Sequence, residues 1–239
     1  MNTDPQKDKN RSQGTGLFLA VSAALFIIGI VWHTFVHPSV GATLQYSMHL
    51  IQRAPGAWLA MHMFLAVVSA LFAAAALAVL TARSSLTASF PGVAGWSLLA
   101  VLAALMISPI VVEGTVQGDA ATAGDKTIFA MWSALSRGYD LVLGLVPLAF
   151  LGIAVADLRA PQPVTPRWAS SLALAGAALM LVGVVGATGF GMAALGVLWG
   201  GAALPMLWFI WAGLKLAFNG DPAYIEHSSV PEPQPFTHS

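Results

Sequence analysis

The chain has 239 residues, of which 57% are hydrophobic and 8% are charged, with ten basic and ten acidic side chains. A soluble domain carries about 25% charged residues, so this chain has too few to cover a surface that faces water, and lipid is its expected solvent. The balanced charge offers no basic patch for nucleic acid, and the absence of cysteine excludes disulfides, thiolate metal sites and iron–sulfur clusters.

Six segments have the length and composition of membrane-spanning helices, which need roughly 20 apolar residues. In chain order they are residues 16–36, 57–82, 93–112, 127–156, 168–187 and 192–217. Short polar or Pro/Gly-containing stretches separate them, and the one between the third and fourth segments, "EGTVQGDAATAGDK", is predicted to be a loop that acts as a lid or a linker. We therefore predict an all-α, polytopic bundle of six transmembrane helices over residues 15–217. Polar tails precede it (1–14) and follow it (218–239, predicted to be disordered).

The fifth and sixth segments are rich in glycine and are joined only by "TGFG", which predicts a tight antiparallel hairpin. Small residues let helices approach closely in lipid. On this basis three glycines of the fifth segment (Gly176, Gly183 and Gly186) and three of the sixth are predicted to form packing contacts. Those of the sixth are Gly213 and the small-xxx-small pair Gly196 and Gly200.

Basic residues in the connecting segments predict the orientation, because cytoplasmic loops carry an excess of Lys and Arg. One side has seven such residues and the other has two, Arg53 and Lys126. The seven are Lys7, Lys9, Arg11, Arg83, Arg159, Arg167 and Lys215. This difference places both termini in the cytoplasm of a multi-pass protein of the cell membrane, interpreted as a bacterial inner membrane.

Six ionisable side chains lie inside or at the ends of the apolar segments, where a charge costs about 2.5–3.5 kcal/mol on insertion scales. With the topology above, all of them fall in the outer third of the membrane, although they come from four different helices. They are His33, His37, His62, Glu113, Arg137 and Asp140.

Four of these residues are candidate metal ligands. His33 and His37 lie at i and i+4, on one face of a helix, and His62 and Glu113 add an imidazole and a carboxylate from two other helices. The auxiliary residues are His49 in the outer loop and the thioethers of Met61 and Met63 (Met48 is a further neighbouring thioether). The expected cofactor is a transition metal or haem b, which would be held between histidines of different helices. A metal open to substrate could activate water, so an enzymatic activity is conceivable.

Structural interpretations of the same residues stay open. The imidazoles of His33 and His37 can face interfacial water, and His62 can be a core histidine bonded to a neighbouring helix. Arg137 and Asp140 lie at i and i+3, so they can pair on their own helix. The alternative functions are a small-solute or proton transporter or channel, and a non-catalytic membrane subunit of a larger complex or a homo-oligomer.

The whole-chain pattern resembles a broad group of small bacterial integral membrane proteins that have six helices and no assigned function. The matching stretches are "PRWASSLALAGAALMLVG" at 166–183 and "LWFIWAGLKL" at 207–216, and the resemblance covers roughly residues 15 to 217. It implies six helices with a polar segment after the third. It implies no catalytic residues, and the "HTFVH" stretch has no counterpart in the group.

Overall fold

The structure, a computed structural model, describes residues 5–36, 43–82 and 84–221, with the backbone alone described at 5–9, 136–142, 188, 189, 193 and 199. The described residues form helices joined by short turns and connections, and they contain no strand. The α-helices are α1 Pro5–Val36, α2 Leu44–Arg53, α3 Pro55–Ala82, α4 Phe90–Leu105, α5 Ile107–Val112, α6 Gly118–Ala123, α7 Lys126–Leu143, α8 Val146–Arg159, α9 Arg167–Val184 and α10 Ala203–Asn219. Other helical turns are 3₁₀ at Ser85–Thr87 and Ala193–Ala202, and π at Glu113–Gln117 and Val185–Gly189.

Five segments in the described part of the chain are long and apolar enough to cross a membrane, as expected for a multi-pass protein. They are Asn10–Val36, Pro55–Ala82, Phe90–Ala123, Arg167–Ala187 and Ala194–Asn219. The first α-helix begins at Pro5, well before the apolar segment that was predicted to start at Gly16. The predicted C-terminal tail lies almost entirely outside the described residues, and the domain boundaries stay predictions.

Six of the helices pack as a closed ring in which each helix contacts the next. Its order is α1, α3, α4, α8, α9 and α10, and α10 returns to α1. Aromatic side chains fill the interior: the ring of Phe209 lies 5.3–5.6 Å, centroid to centroid, from four others. These are Phe72, Trp96, Phe150 and Trp208. Tilted and edge-to-face aromatic pairs of this kind are favourable beyond the surface that they bury.

The third predicted helix is longer than expected, and the prediction of a loop at "EGTVQGDAATAGDK" is wrong for most of its length. The helix continues from α4 through a bend at Met106, the π turn Glu113–Gln117 and α6. It stops at Gly124, whose positive φ of 74° favours glycine. Asp125 then starts α7 by accepting hydrogen bonds from the N–H groups of Thr127 and Ile128, both at 3.0 Å.

The fourth predicted helix, by contrast, is not continuous. It is divided into α7 and α8 by a turn at residues 144 and 145, where Gly144 is followed closely by Pro147. Proline has no N–H to donate to the preceding turn and is tolerated only at the start of a helix, so Pro147 lies in the first turn of α8. With 14 residues, α8 is about 21 Å long, too short to cross a bilayer core of about 30 Å by itself.

Close glycine contacts show how the last helices run. A Cβ on Gly176 would lie 2.5 Å from the carbonyl of Gly201, and one on Gly183 would lie 2.9 Å from the Cβ of Leu198. Later residues of α9 therefore face earlier residues of the 3₁₀ segment Ala193–Ala202. This order confirms the antiparallel hairpin. The predicted packing pair is wrong, however, because nothing lies within 4 Å of a Cβ on Gly196 or Gly200.

The two ends of the described chain meet at α1 and α10. A Cβ on Gly16 would lie 2.5 Å from the carbonyl of Gly213, and the reverse distance is also 2.5 Å. The start of α1 therefore lies beside the end of α10. We refer to this end of the bundle as the inner end and to the opposite end as the outer end.

A buried carboxyl group organises the inner end between α8 and α9. Asp157 is 1% exposed. It accepts hydrogen bonds from the Val164 N–H (2.8 Å), the Thr165 hydroxyl (2.8 Å) and the Ser170 hydroxyl (2.7 Å). The indole N–H of Trp208 in α10 donates to the Thr165 hydroxyl at 2.8 Å. This Asp157 network ties the α8–α9 connection to three helices.

Candidate functional site

The candidate site lies at the outer end, where α3 faces the π turn. His62 of α3 is buried, with 1% of its surface exposed, and its Nδ1 lies 2.8 Å from the carbonyl oxygen of Trp58. A carbonyl can only accept, so Nδ1 must carry a proton. In the neutral imidazole the lone pair is then on Nε2. The backbone of one turn of α3 therefore selects the tautomer of His62.

Glu113, the first residue of the π turn, faces this lone pair. Its Oε2 lies 3.6 Å from Nε2 of His62, and its side chain is 23% exposed whereas that of His62 is 1% exposed. The distance is within reach of an ion pair but longer than a hydrogen bond of about 2.9 Å, and Nε2 has no hydrogen-bond partner. His62 and Glu113 thus form an acid–base pair with one buried and one partly exposed member.

The π turn brings Glu113 and His62 together. The indole N–H of Trp58 donates to the backbone carbonyl of Glu113 at 3.0 Å, which links α3 directly to the turn. A Cβ on Gly114 would lie only 2.6 Å from the Cβ of His62, so a residue without a side chain is needed at this position. π turns are frequent at functional sites, and this one places a carboxyl group opposite a buried imidazole.

Two aromatic rings complete the surroundings of His62. The ring of Trp58 lies 4.2 Å from it, centroid to centroid, and the ring of His33 on α1 lies 6.5 Å away with an edge-on geometry. His62 is thus enclosed by two aromatic side chains, one from its own helix and one from α1.

An open cleft lies beside the π turn at the outer end, between the start of α3 and α6. The cleft has a volume of about 300 Å³. It is lined by Pro55, Gly56, Leu59, Gly114, Thr115, Gly118, Asp119 and Thr122. On the other side of the turn, Gln117 donates to the Ser133 hydroxyl at 3.0 Å, which connects the site to α7.

The predicted outer layer is therefore brought together in part. His33, His62 and Glu113 meet, although they come from three helices. His37 lies outside the described residues, and the side chains of Arg137 and Asp140, on the helical backbone of α7, are also outside them.

The predicted auxiliary residues do not surround the site as a set. His49 is exposed on α2, whereas its neighbour Met48 is buried against α6. Met61 is fully buried in the same outer cluster as Met48, and the Met63 methyl group lies against Gly114. Within the described residues, no group of three or more His, Asp or Glu side chains is arranged to hold a metal ion.

Trp58, Gly114 and Gln117 are residues of the site that the sequence interpretation missed. Trp58 lies near the start of the second apolar segment, and one signal of its role is that it precedes His62 by four residues, one helical turn. Gly114 directly follows Glu113, a position at which a glycine permits close approach to another helix.

The helices define the class of protein: an all-α chain with the architecture of a multi-pass membrane protein. Compared with protein families, curated proteins and solved structures, the chain matches none of them. The resemblance to six-helix bacterial proteins consequently stays a prediction, and the function has to be argued from the site.

Proposed function

We propose that this chain is a six-crossing protein of the bacterial cell membrane, with both termini in the cytoplasm, that binds protons from the outer side at the His62–Glu113 pair. An even number of crossings is supported by the closeness of the start of α1 to the end of α10. Gly16 near the start of α1 contacts Gly213 near the end of α10, so the two ends lie together. Five crossings would separate them, and α7 followed by α8 supplies the sixth.

The orientation is supported by charge. The end of the bundle that carries Arg159, Arg167 and Lys215 is the one at which α1 begins and α10 ends, and cytoplasmic loops are enriched in such residues. The opposite end, with Glu113 and the cleft, then faces outward.

The observation that carries the function is the buried imidazole whose single free nitrogen faces a carboxyl group at 3.6 Å. A proton can reside on Glu113 or on Nε2 of His62, and its position on one group sets the charge that faces the other. Ionisable groups inside membrane proteins mark proton and ion sites by default, because they are costly to retain. Glu113, partly exposed, exchanges the proton with the outside, and His62 holds it.

The apolar interior argues for proton binding rather than conduction. Toward the inner end from His62, the described part of the ring of helices is filled mainly by aromatic side chains, among them Phe72, Phe150 and Phe209. Two buried hydroxyls, those of Ser22 on α1 and Ser69 on α3, lie in the same interior. A proton taken up on the outer side would return there. The chain would thus respond to outside pH rather than pass protons across the membrane.

The test is infrared difference spectroscopy on the full chain in lipid nanodiscs, between about pH 5 and pH 8, where histidine charge changes. We expect a carboxyl signal and an imidazole signal that change over the same pH range. Glu113→Gln removes the carboxyl signal, and His62→Gln changes the pH range over which the carboxyl signal appears, because the neighbouring imidazole is lost. His49→Gln, which removes an exposed imidazole, leaves the coupled change intact.

Two outcomes would contradict this proposal. The carboxyl and imidazole signals of the wild type could titrate independently, with His62→Gln leaving the carboxyl titration in place. Elemental analysis of the same samples could instead find near-stoichiometric metal that falls in His62→Gln, in which case the pair is part of a metal site.

A further inference from the structure

A pair of tryptophans lies at the inner end of α9 and α10. Trp168, the second residue of α9, is 58% exposed, and its ring lies 5.0 Å from that of Trp211, centroid to centroid, in an edge-on geometry. Trp211 is half-buried and packs against the core, so Trp168 is the member that faces the surroundings. Tryptophans are enriched where a membrane meets water, because the indole has an apolar body and a polar N–H.

Basic side chains border this tryptophan pair. Arg167 directly precedes Trp168 and is exposed, and Lys215 follows Trp211 by one helical turn on the same face of α10. Arg159 is exposed at the end of α8, which packs against α9. None of these three cations is in an ion pair within the described residues.

The acidic groups nearest in sequence to these cations have other partners. Asp157 is buried and already accepts three hydrogen bonds within its network. Asp221 is 2% exposed and accepts a hydrogen bond from the Ser85 N–H at 2.7 Å. Lys215 follows Trp211 by about 6 Å along α10, at 1.5 Å per residue, and Arg167 precedes Trp168 at the start of α9. Each cation therefore lies nearer the inner end than the indole ring beside it.

We propose that Arg167, Lys215 and the Trp168–Trp211 pair bind the headgroup of an anionic phospholipid in the cytoplasmic leaflet. The cations contact the phosphate-bearing headgroup, and the exposed indole of Trp168 packs on the chain just below it. A lipid fits better than a soluble phosphate because Trp168 is on the membrane-facing side of the bundle. This inference rests on the membrane orientation and is independent of the His62–Glu113 pair.

The test is native mass spectrometry of the full chain in mild detergent, mixed with equal amounts of phosphatidylglycerol and phosphatidylcholine. We expect more phosphatidylglycerol than phosphatidylcholine to be bound. Arg167→Gln and Lys215→Gln each lower that preference about five-fold, the contribution expected of one cation near an anionic membrane surface. Lys215→Arg retains it, and Trp168→Ala weakens binding of both lipids.

The matched control is Lys126→Gln, which removes an exposed cation at the outer end, and it should leave the preference unchanged. Thermal unfolding checks that each variant is folded. Equal binding of the two lipids by the wild type, or an equal loss in Lys126→Gln, would overturn the assignment. Displacement of the bound lipid by millimolar inorganic phosphate would also overturn it, since the surface would then be a site for free phosphate.

Discussion

Replacing Asp157 with alanine is expected to lower the free energy of unfolding by about 3 kcal/mol. The substitution leaves the Val164 N–H and the Thr165 and Ser170 hydroxyls without their acceptor in a buried place. Each buried donor left unsatisfied costs about 1–3 kcal/mol, and part of this is recovered if water enters the α8–α9 connection. The loss should be local, so hydrogen exchange should accelerate first in residues 160–170.

Asp157→Asn separates the loss of the hydrogen-bond acceptor from the loss of side-chain volume. The amide keeps one oxygen as an acceptor, so its cost should be intermediate between wild type and Asp157→Ala. Asp119→Ala is the matched control, because Asp119 is exposed and its removal should change stability by less than about 0.5 kcal/mol. Reversible unfolding in mixed detergent micelles gives the three values. If Asp157→Ala were as stable as Asp119→Ala, the network would not contribute to stability.

The Asp157 network could not be predicted from the sequence, because the spacing of its members follows no secondary-structure period. Asp157 is predicted to begin a polar connection, where an aspartate needs no partner. Its partners lie seven, eight and thirteen residues later, and Trp208 contributes from another helix. Only the path of the α8–α9 connection brings them together.

The outer site was predictable in part, for a reason that is geometric. When helices alternate in direction, polar residues near particular helix ends must share one side of the membrane, which brings His33, His62 and Glu113 to one level. Their lateral contact depends on which helices are neighbours. The tautomer of His62 and the π turn depend on local hydrogen bonds to Trp58 and Glu113, which hydropathy does not encode.

Helix continuity was the least predictable property of the apolar segments. Hydropathy averages over a window, so it detects neither the turn between α7 and α8 nor the helix that continues past Glu113. In the first case Gly144 and Pro147 end and restart the helix within an apolar run. In the second, the small residues Gly114, Gly118 and Ala121 allow a polar stretch to remain helical against α3.

The glycines show the same limit of pattern recognition. Gly196 and Gly200 have the small-xxx-small spacing, yet the space beside both is open. Gly16 with Ala20, and Gly213 with Ala217, have the same spacing, and these two pairs do meet at the crossing of α1 and α10. The spacing identifies a helix face made of small residues. A close crossing needs such a face on each of two helices that are distant in sequence.

Gly213→Ala is therefore expected to destabilise the bundle by about 1–3 kcal/mol, the usual cost of overpacking a close contact. The added Cβ would lie 2.5 Å from the carbonyl oxygen of Gly16 and 2.7 Å from the backbone nitrogen of Ala20. Both are backbone atoms of α1, so no side chain can rotate away, and the two helices must separate. Gly213→Leu should cost more than Gly213→Ala for the same reason.

Gly200→Ala is the control for this crossing, because nothing lies within 4 Å of the added Cβ and stability should change by no more than about 0.5 kcal/mol. Gly16→Ala should have an effect similar to that of Gly213→Ala. The double variant should cost clearly less than the sum of the two, because a single separation of α1 from α10 accommodates both methyl groups. Unfolding free energies of the wild type, the Gly16→Ala and Gly213→Ala variants and the double variant in mixed micelles measure this coupling. If the two costs were additive, or if Gly200→Ala were as damaging as Gly213→Ala, the close approach of α1 and α10 would not be the cause.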